Sequence, residues 1–229
     1  MYRLYIGNKN YSSWSLRPWV LMRELTIPFE ERLVPFSGEN WKRFREFSPT
    51  GRVPCLHDGD TVVWDSLAIA EYLAERHRAV WPGEEKARAW ARCAAAEMHS
   101  GFATLRERCG MNVGLRIELR EKPEALRQDL ARIEELWSQG LDRFGGPFLA
   151  GPVWTAVDAF FAPVAFRIQT YKLDLNAAAF AYAERLLALP SMQSWQAEAL
   201  AEPWRDPDHE DEVRRAGTVL EDRRSQRQP

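Results

Sequence analysis

A small α/β domain followed by an all-helical one is the fold class that the sequence predicts, and three observations predict it. In the first third, short apolar runs alternate with segments of helical period. A stretch carrying Pro and Gly, Arg78 to Ala87, separates that third from the rest. Beyond it no strand of any length stands out, and apolar residues recur at helical spacing.

Each element follows from local pattern. "YRLYIG" reads as the first strand, and "SLRPWVLMREL" as a helix with Pro18, Leu21, Met22 and Leu25 on one face. Pro18 sits in its first turn, where a missing N–H costs little. "FEERLVPF" is a second strand, and "ENWKRFREF" a short helix stopped by Ser48-Pro49. "VPCLHDGDTVVW" is a hairpin turning at Asp58-Gly59, and "DSLAIAEYLAERH" a helix with a wide apolar face. The order is βαβ, α, ββα. After the linker, "KARAWARCAAAEMHSGFATLRERCG" carries a helical stripe of Met98, Phe102, Leu105 and Cys109. "KPEALRQDLARIEELWSQGLDRF", "WTAVDAFFAPVAFRIQTYKL" and "LPSMQSWQAEALAE" are further helices. The chain divides into residues 1–78, a linker at 79–86, a helical domain at 87–204, and a tail at 205–229. That tail is charged and poor in large apolar residues, so it is expected to be flexible.

The bulk numbers exclude several classes. Net charge is −2, so no basic field points to nucleic acid or anionic lipid. No segment has the apolar length to span a bilayer, and the start "MYRLYIGNKN" lacks the run of a signal peptide. Cys55, Cys93 and Cys109 lie far apart without a CxxC, and the histidines show no ligand spacing, so no metal site is indicated. A cytoplasmic location is the expectation.

Four strings carry chemistry or its support. "YSSWS" opens the first helix after a strand, where Ser15 is a candidate cap and Ser12 and Ser13 are loop hydroxyls. "GRVPCL" puts Val53-Pro54 at the entry to a strand, a place that tolerates proline. In "WDSLAIAEYL", Asp65 or Ser66 is a candidate helix cap, and Ser66 with the helix N-terminal N–H groups can equally take an anion while the Asp65 carboxylate attracts a cation, since a cap and an anion site use the same donors. Thr155 and Asp158 have capping-box spacing, with Asp in place of the usual Glu, and are read as a structural cap.

Together these strings resemble the glutathione S-transferase superfamily over most of the chain, roughly Tyr2 to Trp204. "YSSWS" is similar to the "SSCS" of the zeta class and to serine-type bacterial members. The resemblance implies a thioredoxin-like N-terminal domain, glutathione as co-substrate, no metal and a homodimer. It puts Ser12 at the catalytic serine, Ser13 beside it, and Trp14 where the zeta class has cysteine. It makes Val53–Pro54 a cis bond that turns the Val53 peptide groups toward an extended ligand. It assigns Asp65 and Ser66 to the γ-glutamyl end of glutathione and Arg52 to the glycine end, with Asn40 and Lys42 on the short helix nearby. Trp14, Met98, Phe102 and Phe166 are candidates for the wall that meets the second substrate.

The implied chemistry is a hydrogen bond from serine to sulfur. A free thiol titrates near 8.5, leaving about 3% thiolate at pH 7. A hydroxyl donor at a helix N-terminus favours the anion, which then attacks a small hydrophobic electrophile. The alternatives are a glutathione-dependent isomerase of the maleylacetoacetate type and a non-catalytic binding or regulatory protein of the same fold. Zeta-class isomerases use an arginine on the sixth helix of their fold; an ungapped match puts Thr170 there, with Arg167 one turn away. Arg17 either supports the site or pairs elsewhere. Cys55, in a strand expected to be buried, makes thiol–disulfide chemistry a poor reading.

Overall fold

A computed structural model describes residues 1–36 and 40–224, without the side chains of Asn40 and Trp41. The glutathione contact expected of Asn40 therefore lies outside the described residues. The N-terminal part runs β1 (Tyr2–Ile6), α1 (Ser13–Glu24), β2 (Phe29–Leu33), α2 (Asn40–Phe44), β3 (Cys55–Asp58), β4 (Thr61–Trp64) and α3 (Ser66–Ala74). The strands form one sheet in the order β2-β1-β3-β4, with β1 and β2 parallel and the other pairs antiparallel. Gly59 takes a φ of 58° in the β3–β4 turn, a conformation that suits glycine. This is the expected thioredoxin-like βαβ-α-ββα arrangement, and Val53–Pro54 is cis.

After a single 3-10 turn at Arg78–Val80 come α4 (Glu85–Ser100), α5 (Ala103–Arg108), β5 (Leu115–Leu119), α6 (Glu124–Phe144), α7 (Ala156–Tyr171), α8 (Ala177–Leu187), α9 (Pro190–Ala201), α10 (Pro207–Ala216) and β6 (Gly217–Asp222). The stripe expected to be one helix is broken into α4 and α5. Gly101 ends α4 with its Cα against the Glu97 carbonyl, which a Cβ would meet at 2.8 Å, and Phe102 takes a left-handed φ of 58°. The α8 segment, "AAAFAYAERLL", was not anticipated: it is capped by Asn176, whose side chain accepts from the Ala179 N–H at 2.9 Å.

The tail requires a correction. Residues 205–224 are not a free extension: α10 and β6 fold back, and β6 pairs antiparallel with β5. The charged residues themselves pin it down. Arg224, its side chain 5% exposed, pairs with Glu210 and with Asp222, and Glu210 accepts a hydrogen bond from the Tyr11 hydroxyl at 2.7 Å. Low apolar content is a poor guide where ion pairs are bidentate and shielded from water.

The interior is centred on α1 and α7. Helix α1 is buried from Ser15 through Met22, because the sheet covers one side and α7 the other. A helix buried on all sides lies between layers, and here it takes Ser15 and Arg17 inside with its apolar residues, which is why a one-sided reading of α1 was too narrow. Pro163 sits inside α7, which is almost wholly buried. Thr155 and Asp158 form the capping box that opens α7.

Candidate functional site

The loop between β1 and α1 is bolted before it is functional. Lys9 is 1% exposed, lies against the Trp19 and Trp195 rings at 4.9 and 5.4 Å, and pairs with Glu31 at 2.8 Å and with Glu198. The Glu202 carboxylate accepts from the Lys9 N–H at 2.6 Å and the Asn10 N–H at 3.3 Å. Asn8 accepts from the Phe36 N–H at 2.6 Å, and Asn10 from the Gly114 N–H at 2.9 Å. The "NKN" of the sequence is thus a clamp that aims the serines. Sequence reasoning passed over it because its partners come from distant parts of the chain.

Ser12 is the N-cap of α1, not Ser15. Its Oγ accepts from the Ser15 N–H at 3.4 Å and donates to the Ser15 Oγ at 2.7 Å, while Ser15 Oγ also accepts from the Gly7 N–H at 3.1 Å. Ser13 is the first helical residue, and its Oγ accepts from Arg167 Nη2 at 3.3 Å. Both serines face a cavity of about 670 Å³.

A second cavity, of about 530 Å³, is lined by Thr50, Arg52, Val53, Pro54, Trp64, Asp65, Ser66 and His99 together with Trp14. Trp14, Arg52 and Val53 line both cavities, so the two meet along that edge. Asp65 caps α3 by accepting from the Leu67 N–H at 2.8 Å, and its other oxygen lies 3.4 Å from His99 Nε2. Its φ of 76° is rare for a residue with a side chain. Among the described residues the Ser66 Oγ beside it is buried without a hydrogen-bond partner, and no turn, loop or cap hydrogen bond engages the Val53 peptide groups. Buried polar atoms are ordinarily satisfied, so this end of α3 is left open for a ligand.

Of the predicted site residues, Ser12, Ser13, Trp14, Arg52, Val53, Pro54, Asp65 and Ser66 are brought together. Lys42 is exposed on α2 and lines neither cavity. Met98, Phe102 and Phe166 are corrections: they are at most 7% exposed, belong to the hydrophobic core and line neither cavity. Large apolar side chains on helices that face another layer are consumed by packing. The apolar part of the larger cavity comes instead from Tyr11, Phe36, Phe44 and Met111, and its polar part from Arg106, Arg167 and the α10 region. There His209 stacks on Tyr11 and Phe36 at 5.0 and 5.2 Å between centroids, and its Nδ1 lies 2.5 Å from Asp206. These residues were missed because the tail was expected to be free.

Arg106 and Arg167 line the larger cavity, and Arg17 lies behind its Trp14 wall. Arg17 is 1% exposed, has no hydrogen-bond partner on its side-chain nitrogens among the described residues, and stacks on Trp14 at 4.2 Å and Phe160 at 5.0 Å. Arg106 reaches the same Trp14 ring at 4.8 Å. Burial pulls all three arginines, Arg17, Arg106 and Arg167, below the ordinary guanidinium range. Arg106 and Arg167 spend their hydrogen bonds on backbone carbonyls and Ser13, and none of the three pairs with a carboxylate among the described residues.

The thiols are arranged differently. Cys55 and Cys109 are buried, with burial pushing their titration up to about 11 and about 12, whereas Cys93 is exposed. An aromatic disulfide reagent should therefore titrate one thiol in the native protein and all three after unfolding. Rapid native reaction of Cys55 would reopen a thiol–disulfide role.

Residues 11–76 match the family described as glutathione S-transferase, N-terminal domain. A dichloromethane dehalogenase of Methylorubrum extorquens is 47% identical over 58 residues, 24% of this chain. That match spans only 20% of the dehalogenase's own length. A probable maleylacetoacetate isomerase of Caenorhabditis elegans is 26% identical over 186 residues, covering 76% of this chain and 81% of the isomerase. A solved glutathione transferase homologue from Burkholderia gl BGR1, with bound glutathione, superposes with a TM-score of 0.65 at 25% identity, over 86% of this chain and 97% of that one. No helix of the described residues is long and apolar enough to cross a membrane. An N-terminal family match, the order of strands and helices and a near full-length superposition agree: residues 11–76 match the glutathione S-transferase N-terminal domain, and the chain as a whole has the glutathione transferase fold.

Proposed function

We propose that the protein is an enzyme that binds glutathione and conjugates it through its sulfur to a small hydrophobic electrophile, the thiolate adding to the electrophile or displacing its leaving group, with a serine hydroxyl at the start of α1 stabilising the thiolate. The observation that carries this reading is the joined pair of cavities. One offers the unpartnered Ser66 hydroxyl, the α3 N-terminus and the Asp65 carboxylate, which suit the carboxylate and ammonium of a γ-glutamyl group. The other offers Ser12 and Ser13 beside an aromatic wall. Arg52 and the Val53 peptide lie between them, in reach of an extended ligand. An electrophile would dock against Tyr11, Phe36, Phe44 and Met111. Cytoplasmic location and a homodimer belong to this reading on family grounds.

A second reading, glutathione-dependent isomerisation, is favoured by one observation. Thr170 is fully buried and donates to the Asn112 carbonyl at 2.7 Å, so it is unavailable, but Arg167 one turn earlier lines the larger cavity. Retention on immobilised glutathione, followed by a panel of aryl halides and a cis-dicarboxylic enone at fixed glutathione, separates the readings. Retention with conjugate formation is expected. Retention with isomerisation alone selects the second reading, and failure of retention rejects both in favour of a non-catalytic protein.

A further inference from the structure

The two candidate serines are not equivalent, and the difference lies in where each hydroxyl hydrogen goes. A serine hydroxyl has one hydrogen to give and two lone pairs to receive with. Ser12 gives its hydrogen to the Ser15 Oγ at 2.7 Å and receives the Ser15 N–H. Its hydrogen is spent on capping. Ser13 only receives: Arg167 Nη2 donates to its Oγ at 3.3 Å, and no acceptor among the described residues takes the Ser13 hydrogen. Ser13 lines the larger cavity, so that hydrogen is free to point into it.

We propose that Ser13, not Ser12, is the hydrogen-bond donor to the glutathione thiolate, and that Arg167 of α7 is the positioning residue that polarises it. This rests on the transferase reading above. A guanidinium N–H placed on a serine oxygen orients the hydroxyl and draws electron density from it, which strengthens the O–H as a donor. Arg167 is 4% exposed, is held by a second hydrogen bond to the Cys109 carbonyl, and takes part in no ion pair among the described residues. A thiolate beside Ser13 would supply the counter-charge that this buried cation lacks.

Other charged groups face the same space. Arg106 and Arg52 add positive charge from α5 and the segment before β3, and Arg17 of α1 adds to it from behind the Trp14 ring. Asp208 and Glu212 from α10 oppose them but are exposed, where water and salt screen their fields. Asp206 is engaged with His209 and the cap of α10, and Asp65 lies on the α3 side with His99. The least screened charges near Ser13 are the buried Arg167 and Arg17 and the half-buried Arg106, so the balance favours an anion there.

The test is the ultraviolet absorbance of the bound thiolate against pH, read on the full chain saturated with glutathione. In Ser13→Ala the midpoint should rise by about one pH unit, and by more than in Ser12→Ala. Arg167→Gln should raise it similarly, and Arg167→Lys, which keeps the charge, by less. In a Ser13→Ala background the Arg167 substitutions should add little, a coupling that loss of packing alone would not produce. A larger shift in Ser12→Ala than in Ser13→Ala overturns the proposal, as does full additivity of the two sites. Should Arg167→Gln fail to fold, the comparison of the two serine variants decides alone. Wild-type protein that binds no glutathione overturns the transferase reading together with this one; binding with an unshifted midpoint in every variant overturns this one only.

Discussion

An Asp65→Ala protein is expected to bind glutathione about 10- to 100-fold more weakly in calorimetric titration, the range that corresponds to losing one charge-assisted hydrogen bond of about 1.5–3 kcal/mol. The carboxylate has two engagements in the ligand-free protein, the Leu67 N–H at 2.8 Å and His99 Nε2 at 3.4 Å. Burial lowers His99 below the ordinary imidazole range, so at neutral pH the ring is largely uncharged and leaves the negative charge of Asp65 uncancelled. A ligand ammonium would supply the missing cation. Alanine also removes the cap of α3, worth about 0.5–2 kcal/mol of stability. Asp65→Asn separates the two effects. Asparagine still caps but carries no charge, so affinity should fall while the melting temperature holds. Equal affinity in all three proteins would remove Asp65 from the ligand site.

The largest effect on stability should come from Asp158→Ala. This carboxylate is fully buried and accepts from the Leu149 N–H at 3.0 Å, the Thr155 N–H at 3.0 Å and the Tyr182 hydroxyl at 2.8 Å. It therefore ties the loop before α7, the first turn of α7 and α8 into one unit. Alanine leaves buried donors without an acceptor, costing about 1–3 kcal/mol for each unmet group, besides the cap itself. With partial relaxation a net loss of about 3–5 kcal/mol is expected, or about 10 °C in melting temperature for a chain of this size. A shift within 2 °C, at about half a kcal/mol, would show the box to be dispensable.

The same residue has a pH signature. Burial pushes the Asp158 carboxyl up to about 6, against the hydrogen bonds that pull it down. An aspartate in the unfolded chain titrates near 4. Between those values the folded state holds a proton that the unfolded state has released. The stabilisation from this group is accordingly full below about pH 4 and is lost as pH rises through about 6. The difference in unfolding free energy between wild type and Asp158→Asn should fall with pH across that window and be flat outside it.

Features that depend on a few neighbouring residues were legible in the sequence. Thr155 and Asp158 announce their box by spacing, the Asp58-Gly59 turn needs only a glycine at positive φ, and Asp65-Ser66 caps the helix that follows it directly. Ser12 illustrates the boundary. The serine run revealed a cap, but which hydroxyl does the capping depends on Ser15 also receiving the Gly7 N–H across the loop. Met98, Phe102 and Phe166 mark the opposite failure, since apolar periodicity locates a buried face without saying whether a neighbouring helix or a ligand covers it. The clamp on Lys9 and Asn10 and the cationic lining of the cleft were out of reach. Their partners Glu198, Glu202, Gly114 and Arg167 stand far along the chain.

Order of strands and helices, caps, turns and the Asp65-Ser66 start of α3 were written into local stretches of sequence, because backbone geometry and capping are settled within a few residues. The wall opposite the serines, the docking of residues 205–224 and the different hydrogen bonding of Ser12 and Ser13 arose only when distant segments met. A charge has little character of its own until burial removes its water and a neighbour is fixed beside it. Arg167 and Arg224 acquired their roles in that way.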